Sequence, residues 1–446
     1  MSLIVSSKRL ILGAGPTGQA VARHFQKLGI QFEVADTRQS DDLKTGFEKA
    51  FPGVKTYFGP LKTDYLDRFE EIVVSPGIGP TTEGLNQTTS QLISDIQVFR
   101  RAWPENQPLI AITGSNAKST VTSLVAEILK ADGRAVLVGG NLGPQALDLL
   151  ADRTDQSIAV LELSSFQLER TRALKATVAT CLNMSPDHLD WHGSMIAYHQ
   201  AKHRIFEGVG AIVVNAEDPL SQPLVPDQTP AIKFALQHPD FHRFGLMVVE
   251  GEDWISLGAD RWMPVSHLPM PGRHMIQNAM AAFAICHLIG VDKMVAVRAA
   301  RAFTGLPHRM IELNPVRGVR FINDSKGTNV GASETAVASV DTQNHLYLLA
   351  GGESKDADLS QWAKIVRTHC AHVFAFGRDR QRFVEALGER VTAVETLDQA
   401  FELAVQQASE GDVVLLSPAC ASFDQFTNYQ QRGAHFEALV EAYREI

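Results

Sequence analysis

The stretch at residues 108–131 constrains the fold of this chain more than any other. It predicts a buried apolar strand, a turn of small polar residues, and a helix that begins at Lys118. In such an arrangement backbone N–H groups and a helix N-terminus face an anion, the lysine adds positive charge, and the next hydroxyl, Ser119, can hold Mg²⁺. Ala117, however, stands where a glycine usually precedes the lysine. The stretch alone leaves two interpretations open, a phosphate-binding loop and an ordinary turn between strand and helix.

A second glycine-rich turn lies near the N-terminus. Residues 9–36 predict a strand, the turn 13–18, a helix and a second strand that ends at Asp36. This is the outline of a dinucleotide-binding half, and its obvious interpretation is NAD binding. Pro16 within the turn weakens that interpretation, as does the change at 75–80 into a Pro- and Gly-rich segment instead of a second complete half. A small domain for one nucleotide-like group is favoured, and a tight turn without a ligand stays open.

Apolar strands alternate with helices through the rest of the chain. Further strands are predicted at 72–74, 135–138, 157–162, 178–183, 211–215, 320–323, 345–350, 373–376 and 413–417, and helices at 91–102, 277–289 and 292–303. Two short runs, 246–249 and 254–257, predict antiparallel strands. Such alternation is typical of mostly parallel sheets covered by helices on both faces.

We therefore predict an α/β fold of three consecutive α/β domains. These are a Rossmann-like domain over 1–98, a central domain resembling P-loop ATPases with a mostly parallel sheet over 99–306, and a second Rossmann-like domain over 307–446. A chain of 446 residues is long enough for about three domains.

The composition limits the classes of partner. A net charge of −9 argues against a nucleic acid or an anionic membrane as the main partner. The four cysteines are scattered and form no metal-binding pair, which is typical of a reducing compartment. Because we find neither a membrane-spanning apolar run nor a signal-peptide pattern, we expect a cytoplasmic enzyme.

Polar residues follow several of the predicted strands. Asn141, Glu162 and His188 all come just after apolar runs, and the carboxyl ends of parallel strands are where ligands gather. With Lys118 and Ser119, Glu162 supplies what phosphoryl chemistry on a Mg²⁺-bound nucleotide needs. Taken singly, His188 is an unremarkable loop residue, and Glu162 is a solvated carboxylate.

The combined motifs, in order and spacing, resemble the Mur ligase family, the ATP-dependent amino-acid ligases of bacterial peptidoglycan synthesis. The motifs that carry the resemblance lie at 113–120, 162–168, 183–190, 201–202, 306–309, 323–329 and 351–352. The segment 416–426 is similar to the D-glutamate-adding branch of that family. Together they span all three predicted domains.

The resemblance implies ATP as co-substrate, two Mg²⁺ ions and four catalytic residues, Lys118, Glu162, His188 and Lys202. The implied ATP-binding residues are Gly114, Asn116, Lys118, Ser119, Thr120, Asn278, Arg309 and Asp324. The implied metal ligands are Ser119, Glu162, His188 and Lys202, the last as a carbamate formed with CO₂. Such a carbamate would turn a cationic side chain into an anionic oxygen ligand.

The resemblance also implies two small-molecule substrates, UDP-N-acetylmuramoyl-L-alanine and D-glutamate. The residues implied for the UDP-linked substrate are Pro16, Thr17, Thr37, Arg38, Gly77 and Asn141, and those for D-glutamate are Thr328, Lys355, Ser417 and Phe423. The implied reaction forms an amide bond through an acyl-phosphate, in cell-wall synthesis and so in cell shape and division. We expect a monomer in the bacterial cytoplasm, with neither nucleic acid nor membrane as a partner.

The chain departs from the family pattern at two positions. Ala117 replaces the usual glycine, so the loop must accommodate a Cβ where backbone approaches phosphate. Met275 replaces a usual asparagine, and no nucleotide contact is carried over to it. Neither departure removes a charged catalytic group.

Three alternatives remain at this point. A folylpolyglutamate synthase would also add glutamate with ATP, although residues 36–38 and 417–426 favour the cell-wall enzyme. An NAD-dependent dehydrogenase rests on the turn 13–18 and Asp36 alone. A non-catalytic nucleotide-binding regulator rests on the two departures.

Overall fold

The structure is a computed structural model that describes residues 8–269, 272–342, 344–354 and 357–445. It contains three sheets of five, nine and six strands, which confirms the predicted α/β class with three sheet-containing domains. By its internal contacts the chain forms two compact units, Met1–His267 with Gln277–Phe303, and Leu268–Ile276 with Thr304–Ile446. The domain boundaries at 98/99 and 306/307 stay predictions.

The first sheet is entirely parallel, in the order β3-β2-β1-β4-β5. Its strands are β1 (Arg9–Leu12), β2 (Phe32–Asp36), β3 (Thr56–Phe58), β4 (Glu71–Val74) and β5 (Gln91–Ile93). Its helices are α1 (Pro16–Lys27), α2 (Asp41–Ala50), α3 (Thr63–Leu66) and α4 (Asp95–Ala102). Helix α1 begins three residues earlier than predicted, because proline is well suited to the first helical position, where its missing N–H costs nothing.

The predicted helix at 91–102 is wrong in its first part. Residues Gln91–Ile93 pair with β4 as strand β5, and the helix begins only at Asp95. The boundary is set by Ser94, whose side chain accepts a hydrogen bond from the N–H of Gln97 and so caps the helix.

The second sheet, in the first compact unit, has the order β14-β13-β12-β11-β10-β9-β6-β8-β7. Its strands are β6 (Leu109–Thr113), β7 (Ala135–Gly140), β8 (Ser157–Glu162), β9 (Val178–Cys181), β10 (Ala211–Asn215), β11 (Ala231–Phe234), β12 (Arg243–Val249), β13 (Glu252–Leu257) and β14 (Asp260–Pro264). Only the β12–β13 and β13–β14 pairings are antiparallel, as predicted for that region.

The helices between residues 118 and 302 are α5 (Lys118–Ala131), α6 (Ser165–Glu169), α7 (Leu189–His192), α8 (Met195–His203), α9 (Arg273–Leu288) and α10 (Lys293–Ala302). Short 3₁₀ helices lie at Ala146–Ala151, Arg204–Phe206, Pro219–Ser221 and Val265–His267. Helix α5 buries Val121, Leu124, Val125 and Ile128, the spacing that places apolar side chains on one helical face. That burial fixes α5, and with it the preceding loop.

The third sheet has the order β15-β16-β20-β17-β18-β19 and is parallel except for the β15–β16 pair. Its strands are β15 (Ile311–Val316), β16 (Val319–Asn323), β17 (Leu346–Gly351), β18 (His372–Phe376), β19 (Val391–Ala393) and β20 (Val413–Leu416). The helices are α11 (Val330–Ser339), α12 (Ser360–His369), α13 (Arg380–Leu387), α14 (Leu397–Gln407) and α15 (Tyr429–Glu445), with a 3₁₀ turn at Gly388–Arg390.

The last strand of the chain, β20, lies inside the third sheet between β16 and β17. All four of its residues are buried, as expected for a central strand covered on both faces. Within the described ranges, no helix combines the length and apolar character needed to cross a membrane.

Candidate active site

The predicted phosphate loop, residues 114–117, connects β6 to α5. Its lysine, Lys118, donates hydrogen bonds through Nζ to the carbonyl oxygens of Gly114 and Ser115, both at 2.8 Å. Ser119 and Thr120, in the first turn of α5, are buried. Lys118, Ser119 and Thr120 therefore lie together in the first turn of α5, and phosphate binding there stays a prediction.

Asn183, just beyond β9, clamps the middle of the loop. Its Oδ1 accepts from the N–H of Asn116 at 2.8 Å, its Nδ2 donates to the Asn116 carbonyl at 3.2 Å, and its own carbonyl accepts from the N–H of Ser115 at 2.9 Å. Asn183 opens the motif 183–190, but no role was predicted for it, although its place after an apolar run was the same signal that singled out Asn141.

Ala117 precedes α5 in the left-handed conformation, with φ 66° and ψ −7°. A residue with a Cβ pays roughly 1–2 kcal/mol for this conformation, whereas glycine adopts it freely. The departure noted in the sequence is therefore a backbone strain at the end of the loop that precedes α5.

We expect Ala117→Gly to raise the free energy of unfolding by about 1 kcal/mol, because the relief of strain exceeds the entropy that glycine adds to the unfolded chain. Urea unfolding measures this difference. Ala131→Gly is the matched control. Ala131 is exposed at the C-terminal end of the same helix and has right-handed helical backbone, so its replacement by glycine should lower the free energy of unfolding by up to about 1 kcal/mol. A loss of stability in Ala117→Gly would contradict the strain.

Lys202, on α8, contacts the loop and is only 2% exposed. Its Nζ donates to the same Gly114 carbonyl at 2.8 Å and to Thr113 Oγ1 at 3.3 Å. Burial, and then the nearby charge of Lys118, lower the pKa of Lys202 to about 7. A substantial fraction of this amine is consequently neutral and nucleophilic at neutral pH.

Tyr198, one turn before Lys202 on α8, connects the lysine to the loop. Its hydroxyl lies 2.9 Å from Ser115 Oγ, and its ring centroid lies 4.9 Å from Lys202 Nζ. A spacing of four residues on a helix was the available signal, but it does not by itself indicate contact with the loop.

Glu162 ends β8 beside the loop and is 1% exposed. Its Oε1 accepts a hydrogen bond from Asn141 Nδ2 at 2.6 Å, whereas Oε2 is buried and has no hydrogen-bond partner among the described residues. An unpaired buried carboxylate oxygen is costly unless it binds a cation. This oxygen, next to a phosphate loop, fits a hard divalent ion such as Mg²⁺.

His188 precedes α7 in a left-handed conformation, with φ 54°. Its Nε2 lies 3.6 Å from Asp187 Oδ2, and its ring lies 4.7 Å from that of Phe166. Across the described ranges no three His, Cys, Asp or Glu side chains converge on one point. The predicted metal set includes only two such residues, so Ser119, a carbamate and nucleotide oxygens would have to complete it.

In the N-terminal part of this unit, Asp36 holds the glycine-rich turn. Its carboxylate accepts from the N–H of Ala14 at 2.8 Å and from the Arg38 backbone and guanidinium at 2.8–2.9 Å. Burial alone would raise the pKa of Asp36, but these hydrogen bonds, first the one from the Arg38 side chain, together outweigh burial and lower the pKa. The Asp36 carboxylate, which would bind the ribose in an NAD site, is thus hydrogen-bonded to Arg38 instead.

Pro16 and Thr17, also predicted for the UDP-linked substrate, lie in this turn and at the start of α1, whereas Asn141 contacts Glu162. Pro16 starts α1, and Thr17 Oγ1 donates to Gln145 Oε1 at 2.9 Å. A Cβ on Gly18 would lie 1.7 Å from the Gly13 carbonyl oxygen, so only glycine lets the helix approach the turn this closely. Gly77 lies in the segment after β4.

Asn278 and the C-terminal residues belong to separate parts of the chain. Asn278 is buried on α9 in the first unit. In the second unit, Asp324 follows β16, and burial raises its pKa to about 7. Arg309 and Thr328 are half-buried in that unit.

Two residues predicted for D-glutamate have different surroundings. Ser417 is fully buried and donates its hydroxyl to Asp324 Oδ2 at 2.7 Å, whereas Phe423 is 66% exposed. Lys355 lies outside the described residues. The set remains a prediction.

The fold and the site define an α/β protein in which the loop between β6 and α5 lies beside a buried carboxylate, Glu162, and contacts a buried lysine, Lys202. Three family models match the chain: the Mur ligase MurD-like N-terminal domain over residues 7–97, the Mur ligase middle domain over 112–286, and the Mur ligase glutamate ligase domain over 308–420. The chain therefore belongs to the Mur ligase family.

Full-length relatives carry a more particular name. The UDP-N-acetylmuramoylalanine–D-glutamate ligase of Pseudomonas savastanoi pv. phaseolicola is 45% identical over 99% of both chains, and that of Pseudomonas aeruginosa is 43% identical over the same shares. Among solved structures, a pseudomurein peptide ligase type C from Methanothermus fervidus shares the fold with a TM-score of 0.64 at 17% identity, covering 98% of this chain and 100% of that one. The UDP-N-acetylmuramate–alanine ligase of Thermotoga maritima gives 0.60 at 18% identity, covering 97% and 99%.

Proposed function

We propose that this chain joins D-glutamate to UDP-N-acetylmuramoyl-L-alanine with the cleavage of ATP to ADP and phosphate, a step in peptidoglycan precursor synthesis. Full-length identity of 42–45% to relatives named for that reaction supports the substrates. The observation that carries the chemistry is the contact of two lysines, Lys118 and Lys202, with one loop carbonyl, that of Gly114.

The substrate carboxylate attacks the γ-phosphate of ATP, so that an acyl-phosphate and ADP form. The neutral amine of D-glutamate then attacks the activated carbonyl carbon and forms the amide C–N bond. The nitrogen releases one proton, and phosphate leaves with the electrons of the broken C–O bond. Lys118 and the N-terminus of α5 stabilise the charge that develops on the transferred phosphoryl group.

Glu162, Ser119, His188 and Lys202 would hold two Mg²⁺ ions. Bound there, the ions would neutralise phosphate and carboxylate oxygens that must approach one another. Two observations support this assignment: Glu162 Oε2 is buried with no hydrogen-bond partner in the described part of the chain, and Ser119 is buried.

Lys202 would act as a carbamate. The neutral amine adds to CO₂ and releases one proton, which leaves an anionic oxygen ligand in place of a cation. A buried lysine whose pKa falls to about 7 has the neutral form that this addition requires.

The remaining assignments follow the three predicted domains, 1–98, 99–306 and 307–446. The first would bind UDP, the second ATP, and the third D-glutamate, with the residues predicted from the sequence. We propose a cytoplasmic bacterial enzyme that works as a monomer.

Release of ADP tests the proposal against the alternatives. Purified chain is incubated with ATP, Mg²⁺, bicarbonate and either D- or L-glutamate, together with either UDP-N-acetylmuramoyl-L-alanine or a folate. A separate arm contains NAD⁺ and a hydroxy acid. Release that requires the UDP-linked substrate supports the proposal. Release that requires the folate, or reduction of NAD⁺, would replace it.

A further inference from the structure

Arg170 is a buried cation that forms no ion pair with a carboxylate among the described residues. It follows α6, is 8% exposed, and donates from Nη1 to the carbonyl of Ile78 at 3.0 Å. Across the described ranges no carboxylate lies within ion-pair distance of it, and the adjacent Glu169 pairs instead with Arg204 at 3.3 Å. A guanidinium has five N–H donors, so the one bond to Ile78 leaves most of them for a ligand.

Trp191, on α7, supplies a second donor at the same place. The Arg170 guanidinium lies 5.9 Å from its ring centroid. The indole Nε1 is buried without a hydrogen-bond partner among the described residues, and it would lie 3.4 Å from a Cβ on Gly79. An unpaired buried donor is costly, which makes such a group a candidate for ligand binding.

The two side chains lie between two parts of the predicted site. Ile78 and Gly79 directly follow Gly77, which is assigned to the UDP-linked substrate. On the other side, Trp191 packs on Phe166 with ring centroids 4.6 Å apart, and Phe166 lies 4.7 Å from the ring of His188. A substrate that extends from the glycine-rich turn to His188 would place its middle part beside Arg170 and Trp191.

We propose that Arg170 and Trp191 bind the carbonyl oxygens of the N-acetylmuramoyl group, the part of the substrate between the diphosphate and the reacting carboxylate. This inference rests on the proposed function. Both are binding residues for the substrate, and neither takes part in the bond-forming steps.

The test compares Arg170→Met with the wild type in steady-state kinetics, in calorimetric binding of UDP-N-acetylmuramoyl-L-alanine, and in inhibition by UDP alone. We expect the KM and Kd for the UDP-linked substrate to rise about 10- to 100-fold, the loss expected for hydrogen bonds to a charged group. The kcat, the KM for ATP and D-glutamate, and the inhibition constant of UDP should stay within threefold.

Two further variants separate binding from a structural role. Trp191→Phe keeps the ring but removes the N–H, and it should raise the same KM severalfold even if Arg170→Met folds poorly. Arg23→Met is the matched control. Arg23, on α1, forms an ion pair with Asp148 at the protein surface, and its replacement should leave the KM unchanged.

The outcomes are distinct. Unchanged KM in both Arg170→Met and Trp191→Phe overturns the inference, and so does an equal loss of affinity for UDP, which would assign the contact to the diphosphate. If the wild type itself neither binds nor turns over the UDP-linked substrate, the proposed function fails instead.

Discussion

Lys202→Ala is expected to lower kcat by about 10²- to 10³-fold, the scale measured when one preorganised charge-stabilising group is removed. The physical reason is that the carbamate would supply an anionic oxygen to the metal ions, whereas alanine leaves a small cavity beside the Gly114 carbonyl. Steady-state ADP release measures the loss. Lys130→Ala removes an exposed lysine that pairs with Glu127 on α5, and this control should keep full activity.

A short carboxylate such as acetate should restore part of the lost activity, since it can enter the cavity and present the missing oxygens. Loss of activity without rescue by formate, acetate or propionate would count against a carbamate. Full activity of Lys202→Ala would remove Lys202 from the mechanism altogether.

The pH dependence has a defined sign. Because the pKa of Lys202 is lowered to about 7, the amine is increasingly protonated below pH 7 and cannot add CO₂. Wild-type activity at limiting bicarbonate should therefore fall as the pH drops from 8 to 6. The acetate-rescued Lys202→Ala variant should lack this fall, and an identical fall in both would assign the pH dependence to another group.

Glu162→Gln is the second change with a large expected effect. Glutamine keeps an oxygen that can accept from Asn141 but removes the negative charge. We expect kcat to fall about 10²- to 10³-fold and the Mg²⁺ concentration for half-maximal activity to rise at least tenfold. Titration of ADP release with Mg²⁺ measures both.

Stability separates this functional role from a structural one. Since Glu162 Oε2 is buried without a partner among the described residues, removal of the charge should leave Tm unchanged or higher. Glu127→Gln, on the exposed face of α5, serves as the charge control. A lowered Tm, or activity within threefold at the wild-type Mg²⁺ requirement, would contradict a metal-binding role.

The sequence predicted the strand–turn–helix of the phosphate loop well, because a local apolar run and a helix N-terminus are decided by neighbouring residues. Helix α5 begins and ends at the predicted residues. The antiparallel strands β12 and β13 were likewise evident from their short alternating runs.

Features that depend on long-range pairing were not predictable in the same way. Strand β5 was hidden at the start of a predicted helix, because its pairing with β4 overrides local preference. The insertion of β20 between β16 and β17 is a matter of sheet order, which periodicity does not encode.

The same limit applies to the site. Glu162 and Lys202 were singled out from their motifs, but the unpaired Oε2 and the shared Gly114 carbonyl are facts of tertiary contact. Arg170 lies outside every motif that the sequence offered. Its lack of a carboxylate partner among the described residues becomes visible only once its neighbours in the fold are known.

Product analysis with the two enantiomers of glutamate tests the central claim most directly. Wild-type protein with ATP, Mg²⁺, bicarbonate and UDP-N-acetylmuramoyl-L-alanine should release one ADP for each UDP-linked product that mass spectrometry finds enlarged by one glutamyl residue, with D-glutamate and not with L-glutamate. Absence of this product with D-glutamate, or equal turnover of L-glutamate, would contradict the account.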